Sequence, residues 1–238
     1  MKLSKLLHYL NENLENFPQR NILNEQDGLY EDIDEIANYP EGFSIDDLKA
    51  QPSFAAKTRY LRSHNLDKLG AGSSRAVFVA DNDTVIKIAK NKRGLEQNRI
   101  ENSISGWNPD YPIALVKDSD PDNIWIEAER ARKAKPTDFN NIVGFNMKNI
   151  MKVIRELVSI NRKEPPIGYY RLDDRSLFKK ISENNFVANL LELIISHNLG
   201  VGDVERISSW GVVNRNGSPH LVLVDYGLDM DLFRRLYK

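Results

Sequence analysis

Cysteine is absent from this chain of 238 residues, which removes disulfides, thiolate metal sites and cysteine nucleophiles at once. That composition fits a reducing compartment, and a cytoplasmic protein is expected. Histidine is scarce: His8, His64, His197 and His220 are the four, and they show no metal-ligand spacing. No apolar run approaches the roughly 18 residues of a membrane span. The opening Met1-Lys2-Leu3-Ser4-Lys5-Leu6-Leu7 is broken by His8, Asn11 and Glu12, so no signal-peptide core is expected. Neither sign of charge is in excess. Lysine and arginine number 33 against 34 acidic residues, a formal net charge of -1, so bulk charge marks neither a nucleic acid nor an anionic membrane as partner. Any polyanion contact must come from a local cluster. Apolar residues at 41 % and charged residues at 28 % are the mix of a globular protein with a sizeable core. The length allows one large domain or a two-lobed unit.

Leu3, Leu6, Leu7, Leu10 and Leu14 recur at helical spacing, which predicts an amphipathic helix ended near Pro18. A weaker helical stretch covers Tyr30 to Ala37, and Ser44-Ile45-Asp46-Asp47-Leu48 has the pattern of a capped start interrupted at Pro52. Residues 1–60 are therefore read as an N-terminal helical extension. From Leu66 the period changes. Arg75 to Ala80 and Thr84 to Ala89 flank Asp81-Asn82-Asp83, a strand, tight turn, strand signal. Gly94 to Ile104 reads as a helix, and Ile113–Val116 and Ile124–Glu127 as another strand pair. Two long helices follow, Phe145 to Ile160 and Leu177 to His197, and then a hairpin of Gly211–Val213 with Leu221–Val224 around Asn214-Arg215-Asn216-Gly217. This order gives an α+β layout: the extension, a β-rich unit over 61–128 and a mainly helical part over 129–238.

Four features carry chemistry. Leu69-Gly70-Ala71-Gly72-Ser73-Ser74 precedes a strand, whereas a dinucleotide fingerprint leads into a helix. No Gly-Lys-Ser/Thr follows, so it is not a Walker A loop either. A glycine-rich hairpin can instead lie over phosphates, with backbone N–H groups close to the oxygens. Next, Lys87 stands inside the apolar strand Val85-Ile86-Lys87-Ile88, a costly place unless its ammonium finds an anion. On the following helix Glu101, or in second place Glu96, can pair with it. Last, Asp225 comes directly after Leu221-Val222-Leu223-Val224 and before Tyr226-Gly227, where a strand-end carboxylate can reach a magnesium ion that bridges phosphates. Taken singly, each has a plainer reading as a turn, a solvated lysine or a cap.

Together they resemble the protein-kinase-like superfamily from Leu66 onward. Gly70 and Gly72, with Ser73, match its glycine-rich loop. Val85-Ile86-Lys87 matches its Val-Ala-Ile-Lys strand, and Asp225-Tyr226-Gly227 its Asp-Phe-Gly. Asp203 falls where the catalytic-loop aspartate stands, and Glu127-Ala128-Glu129 at the adenine-binding hinge. The segments around Gly-Ser-Ser-Arg75 and Trp210-Gly-Val-Val213 are also similar to kinase-like proteins of tailed bacteriophages. The resemblance implies a two-lobed kinase-like fold with a reduced C-lobe, and an ATP and Mg²⁺ site. Gly70, Gly72, Ser73, Lys87, Glu101, Glu127 and Ala128 would bind nucleotide, Asp225 and Ser208 metal. Asp203 and Lys87 would be catalytic. It implies a host-cytoplasmic or virion protein, with the N-terminal helices open to a protein partner.

The pattern also breaks. Ser208 stands five residues after Asp203 where the family has a metal-binding asparagine, and Val201-Gly202 replaces its His-Arg. Eleven residues follow Gly227, which leaves no length for an activation segment. Two functions stay open here: phosphoryl transfer to a protein or small-molecule hydroxyl, and a catalytically silent interaction or structural module. Other features are plainer. Asp118-Ser-Asp120-Pro-Asp122 resembles the start of a calcium loop but has Asn123 at its sixth position, so an acidic turn is expected. Arg130, Arg132, Lys133 and Lys135 form the clearest basic cluster.

Overall fold

The computed structural model describes residues 39–164, 172–227 and 229–236. The helices expected over Leu3–Leu14 and Tyr30–Ala37 lie outside them. Ser44 caps helix α1 (Ile45–Ala50), its side chain accepting from the backbone N–H groups of Asp46 and Asp47. Helix α2 (Phe54–Ser63) follows Pro52, capped by Ser53. Lys57 of α2 is buried, and its Nζ donates to the carbonyls of Leu48 and Lys49, at 2.8 and 3.0 Å. A cation thus satisfies the open carbonyls at the end of α1.

Strands β1 (Lys68–Ala71), β2 (Arg75–Val79) and β3 (Thr84–Ala89) lead to helix α3 (Lys92–Ser105), then β4 (Val116–Ser119) and β5 (Trp125–Glu129). They make one antiparallel sheet in the order β1-β2-β3-β5-β4. Every residue of β3 is buried, because side chains alternate between two covered faces. Phe78, Ile86, Ile88 and Trp125 join Phe43, Leu48 and Leu61 in one core. Residues 39–63 therefore pack on this sheet, and the expected boundary near 60 falls inside α2. The opposite face carries Arg75, Val77, Val85 and Lys87.

After β5 the chain passes through Arg130 and Ala131 into β6 (Arg132–Lys133). This strand pairs with β7 (Trp210–Arg215), and β7 with β8 (Ser218–Leu223), in a second antiparallel sheet. Asn216 and Gly217 close the last hairpin with φ of 51° and 75°, the paired left-handed residues of a type I′ turn. Between β6 and β7 lie α4 (Pro136–Val143), α5 (Met147–Asn161), α6 (Arg175–Ser182), α7 (Asn185–Ser196) and the short α8 (Val201–Val204); α9 (Met230–Leu236) follows β8. Helix α5 buries Ile150, Val153, Ile154 and Leu157, and α7 buries Val187, Leu190, Leu193 and Ile194. The described residues form a mixed α+β structure with antiparallel sheets.

Two expectations are corrected. The single helix over Leu177–His197 is two, because the Asn184 side chain accepts from the N–H groups of Phe186 and Val187 and starts a new helix. The strand over Ile113–Val116 is not one. Ile113 makes only an isolated bridge to Leu223, and β4 begins at Val116. The apolarity there reports burial between the two sheets rather than ladder pairing. Of the Asp118–Asp122 segment, Asp118 and Ser119 end β4 and an acidic turn follows from Asp120, whose Oδ1 accepts from the N–H groups of Asp122 and Ile124.

Candidate functional site

The tip of the glycine hairpin is tied down. Ser74 O accepts from the Lys90 N–H, Gly72 O from Lys90 Nζ and Ser73 O from Asn91 Nδ2, at 2.8, 2.6 and 3.1 Å. A Cβ built on Gly70 or Gly72 meets nothing within 4 Å, so neither glycine is needed for packing. Both line a cavity of about 310 Å³ beneath the hairpin, together with Arg75, Val77, Lys87, Ser208, Trp210 and Asp225.

Lys87 answers the cost of its position. It points off β3 to Glu101 of α3, Nζ to Oε2 at 2.6 Å, and also donates to the Val224 carbonyl at 2.8 Å. Glu101 is 0 % exposed. Glu96 is on the surface, bonded to Arg99. Helix α3 comes this close because two glycines permit it. A Cβ on Gly94 would lie 2.3 Å from Ser74 O, and one on Gly227 would lie 2.5 Å from Gln97 O.

Arg75 is the residue that sequence reasoning misses. It stands three residues after Gly72, where a third glycine would complete a G-x-G-x-x-G run. Its Nη1 lies 2.8 Å from Glu101 Oε1 and 3.4 Å from Asn98 Oδ1, and its Nη2 is 2.5 Å from Asp225 Oδ1. Burial alone would raise the Glu101 carboxyl, but the charges of Arg75 and Lys87 override it and hold it below its ordinary range. Burial alone would likewise lower the Arg75 guanidinium, and Glu101 and Asp225 reverse that. The available signal was a charged residue heading an otherwise apolar strand.

Other expected site residues fall apart from the cavity. Ser73 is exposed and does not line it; Ser74 does, bonded to Gln97 at 2.6 Å. Glu127 and Ala128 sit in mid-strand, opposite Ile86 and Val85 on one side and Asp118 and Val116 on the other. Their backbone groups belong to the ladder, and the Glu127 side chain accepts from Tyr39 Oη at 2.7 Å. The cavity is lined instead by Glu129, Ala131 and Arg132 at the crossing between sheets. Asp203, in α8, does not line the cavity beneath the hairpin. It pairs with Arg206 at 3.4 Å with 37 % of its side chain exposed, and it shares with Asp225 and Tyr226 a small adjoining hollow. Tyr226 is buried, its Oη donating to the Ala114 carbonyl at 2.8 Å.

The expected magnesium ligands are not gathered into one site. Among the described residues no three carboxylate or histidine side chains cluster. Ser208 lines the cavity, but Asp225 is already neutralised by Arg75. A divalent ion on that carboxylate would share it with the guanidinium, which holds Oδ1 and repels a second cation placed beside it. The residues present do not fit a protein-held magnesium ion while Arg75 keeps this contact. No family model matches the sequence and no curated protein matches it, so the functional reading rests on this geometry.

Proposed function

We propose that the chain is a pared-down member of the protein-kinase-like superfamily, and that its cleft binds a nucleotide, ATP being the expected one. The observation that carries the reading is the buried Lys87–Glu101 pair at 2.6 Å, beneath a glycine hairpin open to a cavity of about 310 Å³. A lysine held extended by a helix carboxylate, beneath a hairpin whose two glycines leave room for close approach, suits polyphosphate. The base would lie toward Val77, Val85 and Ala114, against the backbone of Glu129–Ala131 rather than of Glu127 and Ala128. If phosphoryl transfer takes place, Asp203 accepts the proton of the acceptor hydroxyl and Lys87 neutralises the transferred group.

The second reading is a nucleotide-binding interaction module, and the Arg75–Asp225 contact favours it. An aspartate held by arginine and an Asp203 turned toward Arg206 make a poor metal-dependent active centre. A protein partner for the N-terminal helices and a virion or host-cytoplasm role belong to this reading. Transfer of the γ-phosphate of labelled ATP to a hydroxyl-bearing acceptor, absent in Asp203→Asn, decides for the enzyme. Binding with no transfer to any acceptor decides for the module.

A further inference from the structure

Two cations, Arg75 and Lys87, and two carboxylates, Glu101 and Asp225, form one network across β2, β3, α3 and the segment after β8. Glu101 lies behind the cavity wall and is fully buried, while Arg75, Lys87 and Asp225 line the cavity. Resting on the nucleotide reading above, we infer that the cleft takes its nucleotide as the metal-free polyphosphate anion. Arg75 supplies from the protein the positive charge that a magnesium ion would otherwise bring.

Three features of the cleft carry this. First, position: Arg75 stands where the chain would meet phosphates, next to the tip of the glycine hairpin, where its carbonyl accepts from the Gly72 N–H, and on the same sheet face as Lys87. Second, donors: a guanidinium has five N–H groups, and the hydrogen bonds to Asn98 and Asp225 use two of them, with Glu101 Oε1 a further 2.8 Å ion-pair contact of Nη1. Third, the charge balance: the lining holds Arg75, Lys87, Arg132 and Lys133 against Glu129 and Asp225, and with their direct partners Glu101, Asp138 and Arg215 included the count is five cations to four carboxylates, a surplus of one positive charge in a chain whose net charge is -1. Glu129 is paired with Arg215, 2.6 Å away, and Arg132 with Asp138, 2.8 Å away, which leaves Lys133 as the lining cation with no such partner among the described residues. A free triphosphate brings its own negative charge to that surplus, whereas a magnesium complex brings less of it and adds a cation beside Arg75. In this arrangement Asp225 serves to position Arg75 and is not an obligate ligand of metal.

The test is titration of the full chain with ATP by calorimetry, in EDTA and again in excess Mg²⁺. Affinity in EDTA equal to that in magnesium within about threefold, or tighter, is expected. Binding seen only with magnesium overturns the inference and leaves the nucleotide reading standing. Absence of binding in both overturns the nucleotide reading itself, and this inference with it. Arg75→Met should weaken metal-free binding about tenfold or more, and unchanged binding in a folded variant contradicts the role given to Arg75. Should that variant fail to fold, Asp225→Asn serves, since an amide oxygen still accepts from Arg75. Its binding in EDTA should match or exceed that of the wild type, and a tenfold loss overturns the inference.

Discussion

Glu101 holds two cations on a side chain with no exposed surface. Replacing it by glutamine leaves Lys87 and Arg75 buried against a neutral amide, and breaking a buried pair from one side costs about 3–5 kcal/mol. Lys87→Met should cost less, because Arg75 still neutralises Glu101. Urea midpoints of the two variants, converted with a common slope, check that order. A second expectation concerns acid. Asp138 takes both Arg132 Nη groups at 2.8 and 2.9 Å and the Lys135 N–H at 2.7 Å, and the Arg132 bonds first, then the Lys135 bond, hold its carboxyl down at about 2. A carboxyl depressed in the folded state adds stability above its ordinary value of 3.8, and that stability is lost as pH falls toward about 2. Asp138→Asn should therefore flatten the fall in stability between about pH 4 and pH 2. A fall as steep as the wild type's would contradict it.

At the scale of elements, helix α3 is the piece that assembles the cleft, and glycines set its distance from two neighbours. Gly227→Ala puts a Cβ against the Gln97 backbone and must push the Asp225 segment away from α3. Overpacking of this kind costs about 1–3 kcal/mol. The variant should also bind nucleotide more weakly, because Arg75 and Val224 lose their register with Lys87. Thermal denaturation with and without ATP measures both effects, and full stability with full binding would show that α3 and this segment are not rigidly coupled. The elements themselves were readable in the sequence where local pattern decides: the Ser44 cap, the strands on either side of Asp81–Asp83, and the hairpin closed at Asn216-Gly217. They were misread where a tertiary contact decides. Strand β5 runs on to Glu129 although its apolar run stops at Glu127, since Ala128 and Glu129 stay paired with Val85 and Thr84 of β3. The restart at Asn184 is marked locally by the polar run Ser182-Glu183-Asn184-Asn185, which helical spacing from Ile181 to Phe186 reads through as a solvated face.

For the molecule as a whole, the site shows the same division. Lys87 and Glu101 are 14 residues apart on adjacent elements, close enough for pattern to pair them. Arg75 and Asp225 are 150 residues apart, and nothing in either segment announces the other. On the proposal above, that one contact is what lets the protein, in place of a magnesium ion, supply positive charge to the cleft. The central claim remains that the cavity under the glycine hairpin binds nucleotide through Lys87. Its most direct test is the affinity of the full chain for ATP beside that of Lys87→Ala, measured by calorimetry in both EDTA and Mg²⁺. The account predicts one site per chain in the wild type and a loss of about tenfold or more in the variant, worth some 1.4 kcal/mol. Equal affinity in wild type and variant, or no heat of binding in either buffer, would contradict it.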